Sequence, residues 1–197
     1  MFYCSFFEKP FKIISAMKNR KSNRMKGFDY SSNNLYFITN CVKNNLCCLG
    51  RVICVGTGRD LSVHASLVEK NHSEIECNVA LNQYGLIVEE KINWLMSHYA
   101  YVDIHNYIIM PNHFHLIIEI DNQKVAGKGT KIKSLSSLMG AMKTTSSKQI
   151  HELGFKDFAW HRSFHDHVIR NEKSYDTIFN YITNNPANWL KDTFFEM

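Results

Sequence analysis

The chain reads as one α+β domain, an antiparallel sheet with helices on one face. Three observations predict this class. Segments rich in β-branched and aromatic residues recur at separated positions. Two stretches, 82–98 and 134–153, place apolar residues at helical spacing. Strand, helix, hairpin, helix and strand follow one another in an order that lets two helices cover one sheet face. With 197 residues, 45% of them apolar, the chain can bury a core of its own, and its length calls for no second domain.

Residues 1–30 join an aromatic start to a run rich in Lys, Arg, Asn and Ser, a basic and loosely ordered N-terminal segment ahead of a domain spanning 31–197. Leu35–Val42 is the first core strand. Arg51–Val55 is a second, closed by Gly56-Thr57-Gly58, and after a stretch of weak periodicity Ile75–Val79 pairs at a sheet edge. Asn82–His98 is a helix whose Ile87, Leu95 and 88-92-96 row lie on the sheet. Tyr101–Met110 and His113–Ile120 are the arms of a hairpin turned at Pro111-Asn112. Asn122–Lys133, with Gly127 and Gly129, is a loop. Ser134–Leu153 is a helix packed through Leu135, Leu138, Met139 and Met142 and stopped at Gly154. Phe158–Ile169 is strand-like, and a last helix starts at Asn171 or Ser174 and runs to Pro186. Two helices leave the other sheet face open, and a partner subunit is the economical cover, so a homodimer is expected.

No apolar run reaches the roughly 18 residues of a membrane span, and the N-terminus lacks a secretory pattern, which predicts a soluble, cytoplasmic protein without a membrane partner. The six cysteines (Cys4, Cys41, Cys47, Cys48, Cys54, Cys77) contain no Cys-x-x-Cys pair and read as free thiols rather than a disulfide framework. The net charge of +5 is concentrated between Lys12 and Lys26 and between Lys124 and Lys148. Such clusters neutralise phosphates, or simply form a solvated basic surface.

The chemistry-bearing feature is His113-Phe114-His115. Residues two apart in a strand share a face, so both imidazoles converge on one side while Phe114 and Leu116 enter the core. Histidines in strands are commonly surface or hydrogen-bonded residues, but within this apolar run each ring needs a polar partner or a metal. In the last helix Tyr181 and Asn185 stand one above the other if the helix continues to Pro186, offering a phenol and an amide oxygen. Tyr175, Phe179, Tyr181 and Ile182 also fit a simple aromatic packing face. A second cluster, His161, His165 and His167, places its histidines on one face with Asp166 pointing away; Arg162 and Arg170 beside it fit phosphate contacts equally well.

Met110-Pro111-Asn112-His113-Phe114-His115-Leu116-Ile117-Ile118, Trp160–Arg170 and Tyr181-Ile182-Thr183-Asn184-Asn185-Pro186, in that order, closely resemble the single-tyrosine transposases of HUH type, especially their domesticated relatives associated with repetitive extragenic palindromes. The resemblance runs from about Asn33 to Trp189. It implies a ferredoxin-like HUH endonuclease/transposase fold and a divalent ion, Mg²⁺ or Mn²⁺, held by His113, His115 and Asn185. It further implies Tyr181 as nucleophile, dimers, and cleavage of single-stranded DNA beside a hairpin through a 5′-phosphotyrosine link. Asn185 stands where a carboxylate would grip a metal more firmly, and His161 where glutamine is common. No nucleotide cofactor is needed, because the phosphotyrosine keeps the bond energy for rejoining. Arg162, Arg170, Lys143 and Lys148 are the candidate DNA contacts by character and neighbourhood. Three alternatives stand beside this expectation: a hairpin-binding protein with little or no cleavage, a metal-dependent hydrolase using activated water, and a structural zinc protein.

Overall fold

The computed structural model describes residues 24, 25, 27–56 and 75–191. The chain runs β1 (Asn34–Cys41), β2 (Gly50–Gly56), β3 (Ile75–Leu81), α1 (Gln83–His98), β4 (Val102–Ile109), β5 (His113–Ile120), α2 (Leu135–Glu152), β6 (His165–Ile169) and α3 (Glu172–Thr183). Four strands form one sheet in the order β4-β5-β1-β6, every neighbour antiparallel. With α1 and α2 as crossovers this is the expected ferredoxin-like β-α-β-β-α-β arrangement, into which a separate β2–β3 ribbon is inserted ahead of α1.

Each helix starts on a residue whose side chain satisfies free amides of the first turn: Asn82 accepts from Tyr84 and Gly85, Ser134 from Ser137, and Asn171 from Ser174. Gly85 is required where α1 meets the ribbon entry, since a Cβ there would lie 2.1 Å from the Leu49 carbonyl oxygen. The main core lies between one sheet face (Tyr36, Ile38, Phe114, Leu116, Ile118, Ile120) and the inner rows of α1 (Ile87, Val88, Ile92, Leu95) and α2 (Leu135, Leu138, Met139, Met142). Phe28 and Tyr30, inside the segment expected to be loosely ordered, pack against this core; residues 1–23 lie outside the described residues.

Three expectations need correction. The second sheet face is covered by α3 of the same chain, whose Ile178 and Ile182 meet Phe37, Ile117 and Ile169. A dimer therefore has to draw on a different surface. The strand expected within Ile75–Val79 is β3, which pairs with β2 in a two-stranded sheet of its own. The strand expected over Phe158–Ile169 is confined to His165–Ile169. Before it, Phe158 and Trp160 turn inward, with Trp160 donating to Ser146 Oγ at 3.0 Å, so this segment crosses the end of β1 instead of extending along it. Finally, Cys54 and Cys77 form a disulfide, because β2 and β3 pair in a register that sets them directly opposite. Cys48 is a free thiol, and Cys4 lies outside the described residues.

Candidate active site

β5 is flanked by β1 and β4, and the pleat turns His113, His115 and Ile117 toward α3 while Phe114 and Leu116 enter the main core. Both imidazoles are buried, at 0% and 1% exposure, so their nitrogens must be satisfied within the protein. The Asn112 amide donates to the Asn45 carbonyl at 3.1 Å, which leaves its Oδ1 to accept from His113 Nδ1 at 2.8 Å. This bond fixes the His113 tautomer, with the proton on Nδ1 and the lone pair on Nε2. Thr39 Oγ1, brought opposite His115 by the β1–β5 register, lies 2.7 Å from His115 Nδ1. Burial first, and the neighbouring His113 second, hold the His115 pKa well below the usual imidazole value, so the ring is neutral, the form that binds metal. Phe37 stacks on it at a centroid distance of 5.4 Å.

The two Nε2 atoms converge, His113 Nε2 lying 3.0 Å from His115 Nε2. An octahedral ion with bonds of about 2.1 Å needs adjacent donors about 3.0 Å apart, so the pair has the spacing of two neighbouring ligand positions. Asn185, the expected third ligand, is buried, and its Oδ1 has no hydrogen-bond partner among the described residues. That oxygen lone pair suits a hard divalent ion. Among the described residues no group of three His, Cys, Asp or Glu side chains is placed to hold a metal.

Tyr181 reaches the same point from α3. Its hydroxyl lies 3.2 Å from His115 Nε2, its ring meets Phe37 edge-on, and the side chain is 45% exposed. The helix ends at Thr183, two residues short of the expected end, and Pro186 opens a 3-10 turn, Pro186–Lys191. Asn185 therefore lies in the link between helix and turn rather than one helical turn above Tyr181, while Trp189 of the 3-10 turn lies 6.0 Å from the His113 ring.

A β-bulge fixes α3 on the β4 side. The register shift between Ile104 and Asn106 lets neighbouring residues of β4 both reach the helix. His105 Nε2 donates to Glu119 at 2.8 Å while its Nδ1 lies 3.2 Å from the Tyr175 hydroxyl. Asn106 donates to the Phe179 carbonyl at 3.2 Å and to Thr183 Oγ1 at 3.1 Å. Asn112, Thr39, His105 and Asn106 escape a sequence reading because each is a common turn or strand residue; only for Asn112 was there a signal, its place directly before His113.

The four expected DNA contacts divide. Lys143, Lys148 and Arg162 line one groove of about 690 Å³ between α2 and the segment before β6, together with Lys156. Lys143 also donates to the carbonyls of His161 and Arg162, and burial lowers its pKa. Arg170 stands apart, at the end of β6 near the start of α3. In the second histidine cluster, His165 and His167 are exposed on the face of β6 that Phe37 shares, Asp166 points to the other face, and His161 precedes the strand.

Three comparisons bear on identity. Residues 59–185 match the family model for IS200-like transposases. An uncharacterized protein of Haemophilus influenzae is 31% identical over 195 residues, covering 92% of this chain and 96% of that protein. A solved structure described as a REP-associated tyrosine transposase bound to a REP hairpin shares the fold at a TM-score of 0.51 with 18% identity, covering 86% of this chain and 74% of that one. No described helix is long and apolar enough to cross a membrane. With the family model spanning well over half of the sequence, the chain belongs to the IS200-like transposase family.

Proposed function

We infer that this protein is a metal-dependent transposase of the REP-associated branch that cuts and rejoins single-stranded DNA beside a hairpin through a 5′-phosphotyrosine intermediate. The observation that carries this reading is the convergence of the Tyr181 hydroxyl on the paired Nε2 atoms of His113 and His115 within a single chain. The hairpin complex of the structural relative supports the choice of DNA.

His113, His115 and Asn185 would hold Mg²⁺ or Mn²⁺. A bound divalent ion supplies charge stabilisation to a nonbridging phosphate oxygen and lowers the pKa of the phenol, about 10 when free. Asn112 and Thr39 orient the two imidazoles. Tyr181 Oη attacks the phosphorus, forming an O–P bond as the bond to the 3′ oxygen breaks. The phenol proton passes to solvent, toward which the half-exposed side chain opens, and the leaving 3′ oxygen takes up a proton. Rejoining runs the same exchange backwards. Lys148, Lys156 and Arg162 offer a basic groove for the hairpin stem, with Lys143 shaping its wall.

The test is a denaturing gel of protein incubated with Mn²⁺ and hairpin DNA taken from beside the gene. Wild type forms a covalent adduct, Tyr181→Phe binds without forming one, and equal cleavage by both removes Tyr181 as nucleophile. A second reading, a hairpin-binding protein of the same fold with little or no cleavage, draws on the absence of a carboxylate at the site among the described residues. It predicts binding without adduct from the wild type as well.

A further inference from the structure

α3 lies across the metal-site face of the sheet, and its two flanks differ. On the β4 side the bulge closes the interface, with His105 and Asn106 bonded to Tyr175, Phe179 and Thr183. On the β6 side the helix stands away from the sheet and leaves a groove of about 550 Å³. Phe37 belongs to both the groove and the candidate active site, since it also stacks on His115 and meets Tyr181 edge-on. A polynucleotide whose phosphate sits at Tyr181 therefore has an open path over Phe37 toward β6, while on the opposite flank the bulge ties the helix to the sheet.

The groove has the chemistry of a nucleotide subsite. Phe37 and Ile178 give it an apolar floor, His167 and Asn171 line its rim, and Lys173 contributes one cation with no carboxylate in the lining. His167 is the cross-strand neighbour of Phe37, on the same face, and its ring is exposed. With strands about 4.8 Å apart, β6 lies roughly 10 Å from the strand that carries His115, a distance the nucleotide next to a scissile phosphate can span. Aromatic and imidazole faces stack unpaired bases without regard to sequence, while a lysine neutralises the backbone.

We propose that the groove between α3 and β6 is the subsite for the unpaired nucleotide adjacent to the scissile phosphate, its base against Phe37 and His167 and its phosphate on Lys173. The proposal rests on the single-stranded DNA reading above and adds to it the direction in which the strand leaves the site.

The experiment uses full-length Tyr181→Phe protein, which leaves DNA intact, and a hairpin oligonucleotide from beside the gene with single-stranded flanks. The fluorescent base 2-aminopurine replaces each flank position in turn. One position changes its fluorescence on binding in the parent, and that change disappears in His167→Ala. An abasic substitution at the same position weakens binding at least about fivefold in the parent and by less in His167→Ala, as contacting groups do. Lys173→Ala lowers the slope of log affinity against log salt by about 0.7, the share of one single-strand phosphate. Both side chains are exposed, so neither change threatens the fold. The proposal is overturned if no flank position loses its response in His167→Ala, or if the Lys173→Ala slope equals the parental one. Wild-type protein that binds DNA yet forms no adduct removes the cleavage chemistry alone, whereas protein that binds no hairpin DNA removes both readings.

Discussion

Replacing Asn185 with leucine separates a metal ligand from a structural amide. Asn185 is 2% exposed and its Oδ1 accepts no hydrogen bond among the described residues. A buried polar atom without a partner costs about 1–3 kcal/mol, and leucine is of similar size and carries no such atom. Without metal, Asn185→Leu is therefore expected to be more stable than wild type by that amount. At about 2–4 °C per kcal/mol for a chain of this length, the melting temperature rises by roughly 2–12 °C. With Mn²⁺ at about a hundred times its dissociation constant the gap narrows, and the order reverses where the metal-free difference is below about 2.7 kcal/mol. Wild type gains about 2.7 kcal/mol from a ligand that binds the folded state, and the variant, having lost one of its three donors, gains far less. Calorimetric or fluorescence melts in EDTA and in Mn²⁺ read both effects. A variant that melts lower than wild type in EDTA and still shows the full Mn²⁺ shift would refute the assignment, because the amide would then hold the fold and not the cation.

Other expectations follow from the same contacts. Asn112→Ala leaves the His113 Nδ1 proton without its acceptor; metal affinity measured by titration calorimetry is expected to fall about 10–100-fold. His115 has its pKa depressed in the folded state, so the unfolded chain takes up the proton first as pH falls. Denaturant midpoints should therefore be level above neutrality and decline as pH drops through about 6.5, with the decline shallower in His115→Gln. Asn106→Ala removes two bonds to the end of α3; amide exchange in 172–183 should accelerate while β5 is unchanged. Reduction of Cys54–Cys77 should speed exchange in β2 and β3 only, because the ribbon belongs to a separate sheet.

Periodicity carried most of the architecture. The two long helices and the 102–120 hairpin are continuous in sequence, and their apolar rows point where spacing places them, as Val88 and Ile92 or Leu138 and Met142 show. Segments shaped by distant contacts did not follow local pattern. Phe158–Phe164 has the composition of a strand, but the pull of Trp160 toward Ser146 and Phe114 bends it across the sheet end. The role of α3 as cover for the second face was hidden because it buries few side chains, with only Ile182 fully enclosed. At the site, the facing of His113 and His115 follows from the period of a strand. The supports from Asn112, Thr39 and the β4 bulge depend on strand register, which one sequence does not print. Cys54 and Cys77 became partners for the same reason.

The candidate cation seat and the candidate nucleophile stand on unequal foundations. The histidines project from a strand flanked on both sides and buried along nearly all its length, whereas Tyr181 rides a helix moored by a few isoleucines and the His105–Asn106 bulge. Thermal energy will therefore lift the helix long before it disturbs the strand. A DNA end joined to Tyr181 would be cargo on a crane arm, free to swing out and return to a loading bay that keeps its shape.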